Sequence, residues 1–169
     1  MTGDAGAVTV RPARADDLPG LQAALGQDYY FEHRLNQQPA LGILLVAVKA
    51  GTVVGGAFLR LRPQEPELLE RAPDVPVLTH LEVAAEHQGN GVGSLLVQAA
   101  EAEARAHGRR RILLGVRTGD EHLLAIYEKR GYHDWGYGLI NAVLEEHDAN
   151  GERTVGFELC HIMIKALED

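Results

Sequence analysis

The stretch Leu81-Glu82-Val83-Ala84-Ala85-Glu86-His87-Gln88-Gly89-Asn90-Gly91-Val92-Gly93-Ser94 constrains the fold more than any other part of the chain. Residues Val77 to Val83 read as a strand. Val92, Leu95, Leu96, Ala99 and Ala106 recur at core spacing on a long helix that begins near Gly91 and ends at His107-Gly108. Between the two, Gly89, Gly91 and Gly93 strip side chains from the turn. Bare N–H groups at a helix start, at the positive end of its dipole, form a seat for a phosphate or pyrophosphate. A strand therefore runs directly into an anion-binding helix terminus in the middle of the chain.

Two common phosphate-binding motifs do not fit this turn. A P-loop ends in Gly-Lys-Ser/Thr, whereas this one ends Gly93-Ser94-Leu95 without a lysine. A dinucleotide fold puts its glycines after the first strand, with an acid about 20 positions later. Here the glycines come mid-chain.

The flanking pattern is mixed. Val8 to Arg11 reads as a first strand, and Ala15-Asp16-Asp17 leads into a helix carrying Leu18, Leu21 and Leu25 on one face. Asp28 to Pro39, with Tyr29, Tyr30, Phe31 and Leu35 near helical spacing, reads as a short helix or ordered loop and a candidate acceptor wall. Ile43 to Lys49 and Val53 to Leu61 flank Ala50-Gly51-Thr52 as a hairpin, with Gly55-Gly56 marking a bulge. Pro63 to Pro76 holds four prolines and reads as a loop over the sheet, with one helical turn at Pro66-Glu67-Leu68-Leu69. Arg111 to Val116 is a buried-type strand, and Glu121 to Lys129 a helix stopped by Gly131-Tyr132. Leu139 to Leu144 and Phe157 to Ala166 form a closing hairpin around Asp148-Ala149-Asn150-Gly151. No repeat or linker divides residues 1–169, so one α/β domain is expected.

Charge and composition narrow the class of partner. The net charge of −8 repels phosphate backbones and favours cationic small molecules, so nucleic acid is not an expected partner. The one compact basic run, Arg109-Arg110-Arg111, sits where it complements the negative end of the preceding helix. A single cysteine, Cys160, excludes an intrachain disulfide, and none of the eight histidines stands in HExxH spacing, so no metal site is expected. Met1 to Val8 lacks the blocks of a signal peptide, and the apolar run Ile43 to Val48 is too short to span a bilayer. A cytoplasmic protein without membrane contact is the expectation.

The order of residues in the turn resembles the GCN5-related N-acetyltransferase (GNAT) family. Its signature Gln/Arg-x-x-Gly-x-Gly/Ala is met by Gln88-Gly89-Asn90-Gly91-Val92-Gly93. Asp120, Leu123-Leu124, Tyr127-Glu128-Lys129 and Gly131-Tyr132 are similar to the family's later motif of Asn, small or apolar residues, and Tyr-x-Lys-x-Gly-Phe/Tyr. The resemblance extends to Val8–Ala13 with Asp17-Leu18, and to His161–Lys165, nearly the whole chain.

The resemblance implies a mixed, mainly antiparallel central sheet flanked by helices and splayed between its fourth and fifth strands, with acetyl-CoA as cosubstrate and its pantetheine in the gap. The backbone near Val83 would bond pantetheine and polarise the thioester carbonyl. Amides from Gln88 through Gly89, Asn90, Gly91, Val92 and Gly93 to Ser94 would hold the pyrophosphate, and Tyr127 would protonate the departing thiolate. Asp120 stands at a cofactor-contacting position where the family has Asn, and serves equally as a helix N-cap. Direct attack by an unprotonated amine needs no acyl-enzyme.

The acceptor amine needs a base. His80 and Glu82 share a strand face by alternation, and Glu82 is the primary candidate. Relatives place an acid where this chain has Thr79. Tyr29, Tyr30, Glu32 and His33 either shape the acceptor pocket or pack in the core, and Cys160 reads as core rather than nucleophile. The acceptor is an amine of a small molecule or protein, with a cationic one favoured. The apolar run Cys160–Ile164 would permit a homodimer through the C-terminal strands. Thr79 and Asp120 keep open a non-catalytic acyl-CoA-binding regulatory module, and a longer acyl-CoA is the other alternative.

Overall fold

A computed structural model describes residues 6–26, 28–147, 150 and 152–168. Of the expected closing turn, 148, 149 and 151 lie outside the described residues.

The described residues form an eight-stranded sheet in the order β1-β2-β3-β4-β5-β8-β6, with β7 paired to β8. The strands are β1 (Val8–Pro12), β2 (Gly42–Lys49), β3 (Thr52–Arg60), β4 (Val77–Val83), β5 (Arg111–Arg117), β6 (His133–Asp134), β7 (Ile140–His147) and β8 (Arg153–Ala166). Every pairing is antiparallel except β4 with β5. The helices are α1 (Leu18–Leu25), α2 (Asp28–Asn36), α3 (Pro66–Arg71), α4 (Val92–Ala106) and α5 (Glu121–Lys129).

Strand β2 shows why the central strands read as unbroken apolar runs. Ile43, Leu45 and Ala47 pack on the α4 face, while Leu44 and Val46 pack on the opposite face with Leu21 of α1 and Tyr30 and Phe31 of α2. Covering both faces leaves no side for polar residues. Beside Gly55 the pairing with β2 slips by one residue, which is the bulge the glycine pair predicts.

Helix α4 buries Val92, Leu96, Ala100 and Ala104, a row at i, i+4 spacing, together with Val97. This shifts the expected core face: Leu95 and Ala106 are exposed, because the buried row runs one position to their side. Glu101 is buried on the same helix. Its carboxylate accepts from the Tyr132 hydroxyl at 2.8 Å and from Lys165 Nζ at 3.1 Å, which ties α4 to β8 and to the segment after α5.

Other expectations shift as well. Arg111 opens β5, and Arg109 lies past the helix end and donates to the Asp74 carbonyl, so Arg105 is the basic residue in the last turn of α4. The Pro63–Pro76 segment holds α3, which anchors through buried Leu68. The C-terminal hairpin is longer than the apolar pattern predicts, and the two-residue β6 is additional. Of the Cys160–Ile164 run, Cys160, Ile162 and Met163 are buried in the chain's own core between β5, β6 and β7, and His161 and Ile164 are half-buried. No helix among the described residues is long and apolar enough to cross a membrane.

Candidate active site

The site begins where β4 leaves β5. The parallel pair is joined only at Val77 with Leu113 and Leu78 with Leu114. Immediately beyond, β4 carries one residue more than β3: Thr79 faces Phe58 and Glu82 faces Gly56, three steps against two. The extra residue is accommodated where His80 takes a left-handed φ of +52°. For a histidine that conformation is uncommon, and the bulge it creates bends the strand.

Ala84 N–H donates to Val54 of β3 at 2.8 Å, so strand alternation turns the N–H and C=O of Val83 to the opposite, unpaired edge. Gln88 Nε2 donates to that Val83 carbonyl at 3.0 Å, bracing the turn onto the strand end. Val83 N–H is thereby aimed into the gap.

The glycine turn is an open cradle. Gly89 and Gly91 have φ of +81° and +85°, and nothing lies within 4 Å of where a Cβ would stand on either. Gly91 is the N-cap of α4 and supplies no side-chain cap. The first-turn amides of α4 thus lack a capping side chain, the arrangement a pyrophosphate satisfies.

Beyond Leu78 and Leu114, the gap opens into a cavity of about 330 Å³. Thr79, His80 and Leu81 of β4 form one wall, and Leu114, Leu123 and Tyr127 the wall toward β5 and α5. Glu65, Ala142, Leu144, Glu158 and Cys160 close the far side. Tyr127 is buried, and burial pushes its hydroxyl pKa up while the charge of Arg130 draws it back. Its proton is therefore in place at neutral pH. Burial, reinforced by Glu158, pushes the Cys160 thiol up to about 11, so it carries almost no thiolate at neutral pH.

His80 and Glu82 do come together, with Nε2 and Oε1 2.9 Å apart, through the bulge rather than through regular alternation. His80 also stacks on Tyr30, with ring centroids 4.0 Å apart. It lines the cavity, whereas Glu82 lines an adjoining depression with Leu81, Val83 and Gln88. Tyr30 and Phe31 are core residues behind His80, and Tyr29 and Glu32 point to solvent. Asp120 is exposed and caps α5 by accepting from Leu123 N–H at 3.0 Å. Glu65, Glu158 and Arg130 are additions that the sequence reading missed. Glu65 comes from a proline-broken loop, and Arg130 occupies the unspecified position of a motif. Glu158 alone had a legible cue, its place on the last strand.

The site thus combines an opened parallel pair, an outward backbone N–H and an uncapped glycine turn. Residues 9–132 match the model of the acetyltransferase (GNAT) family, and the chain belongs to that family. Many solved structures share the fold, three of which illustrate it. The ribosomal-protein-S18-alanine N-acetyltransferase of Escherichia coli is 17% identical, with a TM-score of 0.66 and 96% of each chain covered. A GNAT-family acetyltransferase from Streptococcus pneumoniae is 23% identical, with a TM-score of 0.67 over 95% of this chain and 99% of that one. A GNAT-family acetyltransferase from Elizabethkingia anophelis with acetyl-CoA bound is 17% identical, with a TM-score of 0.60 over 95% of this chain and 98% of that one. No curated protein matches the sequence significantly.

Proposed function

We propose that the chain is a single N-acetyltransferase domain that moves the acetyl group of acetyl-CoA to a cationic amine by direct attack in a ternary complex. The observation that carries this reading is the order of features along one side of β4: the cavity at Tyr127, then, past Leu81, which lines both, the depression at Val83 and Gln88, where the uncapped glycine turn begins. Family membership and the acetyl-CoA bound to the E. anophelis relative support it.

Acetyl-CoA supplies a thioester whose carbonyl carbon accepts the amine. Amides of Gly89 to Ser94 hold its pyrophosphate, and Val83 N–H stabilises the developing oxyanion. The Tyr127 hydroxyl donates its proton to the leaving sulfur and is reprotonated by the second proton that the nitrogen sheds as the amide forms. For the acceptor's proton we assign His80 as the receiving group, with Glu82 orienting the imidazole and balancing its charge, because His80 lines the cavity and Glu82 does not. Cys160, held as a thiol, takes no part, in keeping with direct attack.

Acceptor charge follows from the far wall. Glu65 and Glu158 line the cavity, and no lysine or arginine is among the described residues lining it; Glu158 accepts from Arg117 Nε at 3.0 Å, so Glu65, bonded to the neutral Val143 N–H, supplies the negative charge. A cationic amine is attracted there, and its proton leaves through His80 before attack.

Calorimetric titration with acetyl-CoA and with CoA, followed by thiol release with a panel of primary amines, tests the reading. Saturable binding and amine-dependent CoA release are expected. Binding without release from any amine would favour a regulatory module, and no binding to either ligand would remove the acyltransferase assignment.

A further inference from the structure

The glycine turn has a cation beside it that no motif position specifies. Arg130 follows the last turn of α5 as its C-cap, and its Nη2 donates to the hydroxyl of Ser94 in the first turn of α4. That bond crosses from the helix bearing Tyr127 to the helix whose uncapped amides form the anion seat. The same guanidinium is close enough to Tyr127 and Tyr132 to act electrostatically on both hydroxyls.

Charge gives this placement a purpose. The chain carries a net −8, so a multiply phosphorylated ligand approaches against the field of the whole protein. Helix N-terminal amides contribute only partial charges. An arginine fork within reach of the seat supplies a full positive charge in a geometry that matches two phosphate oxygens. The neutral Ser94 hydroxyl accepts from it, and a phosphate is the stronger acceptor.

We propose that Arg130 is the cationic wall of the pyrophosphate site: on binding, its guanidinium exchanges the Ser94 hydroxyl for the diphosphate of CoA and so draws α5 and Tyr127 onto the donor. This rests on the acetyl-CoA reading above. Arg130 is a binding residue for the diphosphate and a positioning residue for Tyr127. No bond is made or broken by it.

The test compares the wild type with Arg130→Gln and Arg130→Lys, titrating CoA, 3′-dephospho-CoA and pantetheine, the last by competition. Thermal melts of each variant without ligand run alongside. Arg130→Gln should weaken CoA and 3′-dephospho-CoA alike, by about 10- to 30-fold, and leave pantetheine unchanged. Arg130→Lys should recover part of the loss, since it restores the charge without the fork.

A ratio that collapses for 3′-dephospho-CoA would move the contact to the 3′-phosphate and overturn the diphosphate assignment. An equal loss for pantetheine would overturn it in favour of a structural tie between α4 and α5, and the melts would fall in parallel. CoA binding within about twofold of wild type in Arg130→Gln would also overturn it. Failure of the wild type to bind CoA is a different result: it removes the acetyltransferase reading itself, and this proposal with it.

Discussion

Adding one methyl group at either of two glycines two positions apart in the turn should shift stability in opposite directions. Gly91 sits at φ +85° and ψ +4° as the N-cap of α4, with nothing within 4 Å of a built Cβ. Gly91→Ala therefore meets no clash, and its cost is conformational: an L-residue in the left-handed region loses about 1–2 kcal/mol. Reduced freedom of the unfolded chain returns about 0.4–1 kcal/mol, leaving a net loss of roughly 1 kcal/mol. Gly93 lies inside the helix with no left-handed φ, and its Cβ would rest 4.0 Å from Val83 Cγ2, an ordinary contact. Gly93→Ala gains up to about 1 kcal/mol of helix propensity.

For a chain of this size each kcal/mol moves Tm by about 2–4 °C, so the two variants, identical in composition, should melt about 4–8 °C apart. Differential scanning calorimetry reads the gap directly. Gly91→Ala should also weaken CoA, whereas Gly93→Ala should bind it, since the family pattern admits alanine at that position. Should Gly91→Ala melt at or above Gly93→Ala, the left-handed cap, and the open cradle built on it, would be wrong.

Tyr127→Phe should lower kcat by about 10²-fold while leaving CoA affinity near that of the wild type; unchanged turnover in steady-state assays would end its assignment as the acid. The Cys160 thiol, with its pKa pushed to about 11, should be about 0.1% thiolate at pH 8, so iodoacetamide should label it far more slowly than a free thiol, and Cys160→Ala should keep turning over. Asp17 accepts from Arg11 at 2.7 and 2.9 Å, and this partner holds its carboxyl below the ordinary 3.8. A depressed folded pKa stabilises above the unfolded value and loses that contribution as pH falls through the folded one. Asp17→Asn should therefore cost about 1 kcal/mol in urea melts at pH 7, and the difference from wild type should close well below pH 4.

The elements that carry their own periodicity were legible. Val77–Val83 and Glu121–Lys129 have the bounds that their patterns predict, and α4 starts at the residue after Gly91. The turn motif is local, so its residues stay together whatever the rest of the chain does. Harder to read was the bulge. His80-Leu81-Glu82-Val83 alternates as a regular strand would, only the adjacent polar pair Thr79-His80 breaks the period, and no glycine or asparagine marks the left-handed residue. With the bulge in place, His80 and Glu82 stay in contact while His80 lines the cavity and Glu82 the depression beside it. The acceptor wall was illegible for another reason. Glu65 reaches the cavity by accepting from Val143 N–H, 78 residues away, and no local pattern encodes a pairing of that range. Strands β7 and β8 extend past their apolar runs because the backbone ladder from Ile140–Cys160 to His147–Arg153 holds them.

A gap between β4 and β5 persists because each half of the sheet supports itself. Strand β5 pairs with β8 from Arg111–Ala166 to Arg117–Cys160, and β4 pairs with β3 from Val77–Arg60 to Val83–Gly55. Only the facing edges beyond Leu78 and Leu114 go without backbone partners from each other, and polar edges of that kind are stable when solvent or a ligand satisfies them. Pantetheine, with amides spaced along an extended chain, would complete the β4 edge as a strand does. Amide hydrogen exchange separates the two edges of one strand. Ala84 N–H, already bonded to Val54, should exchange slowly with or without CoA, while Val83 N–H should exchange fast alone and gain protection on saturation. Binding at about 100 times Kd also stabilises the whole fold by about 2.7 kcal/mol, so the meaningful quantity is the protection of Val83 beyond that of its neighbours. Equal protection at Val83 and Ala84 in the free protein would mean that the edge facing the gap is already paired, and the strand-like site would not exist.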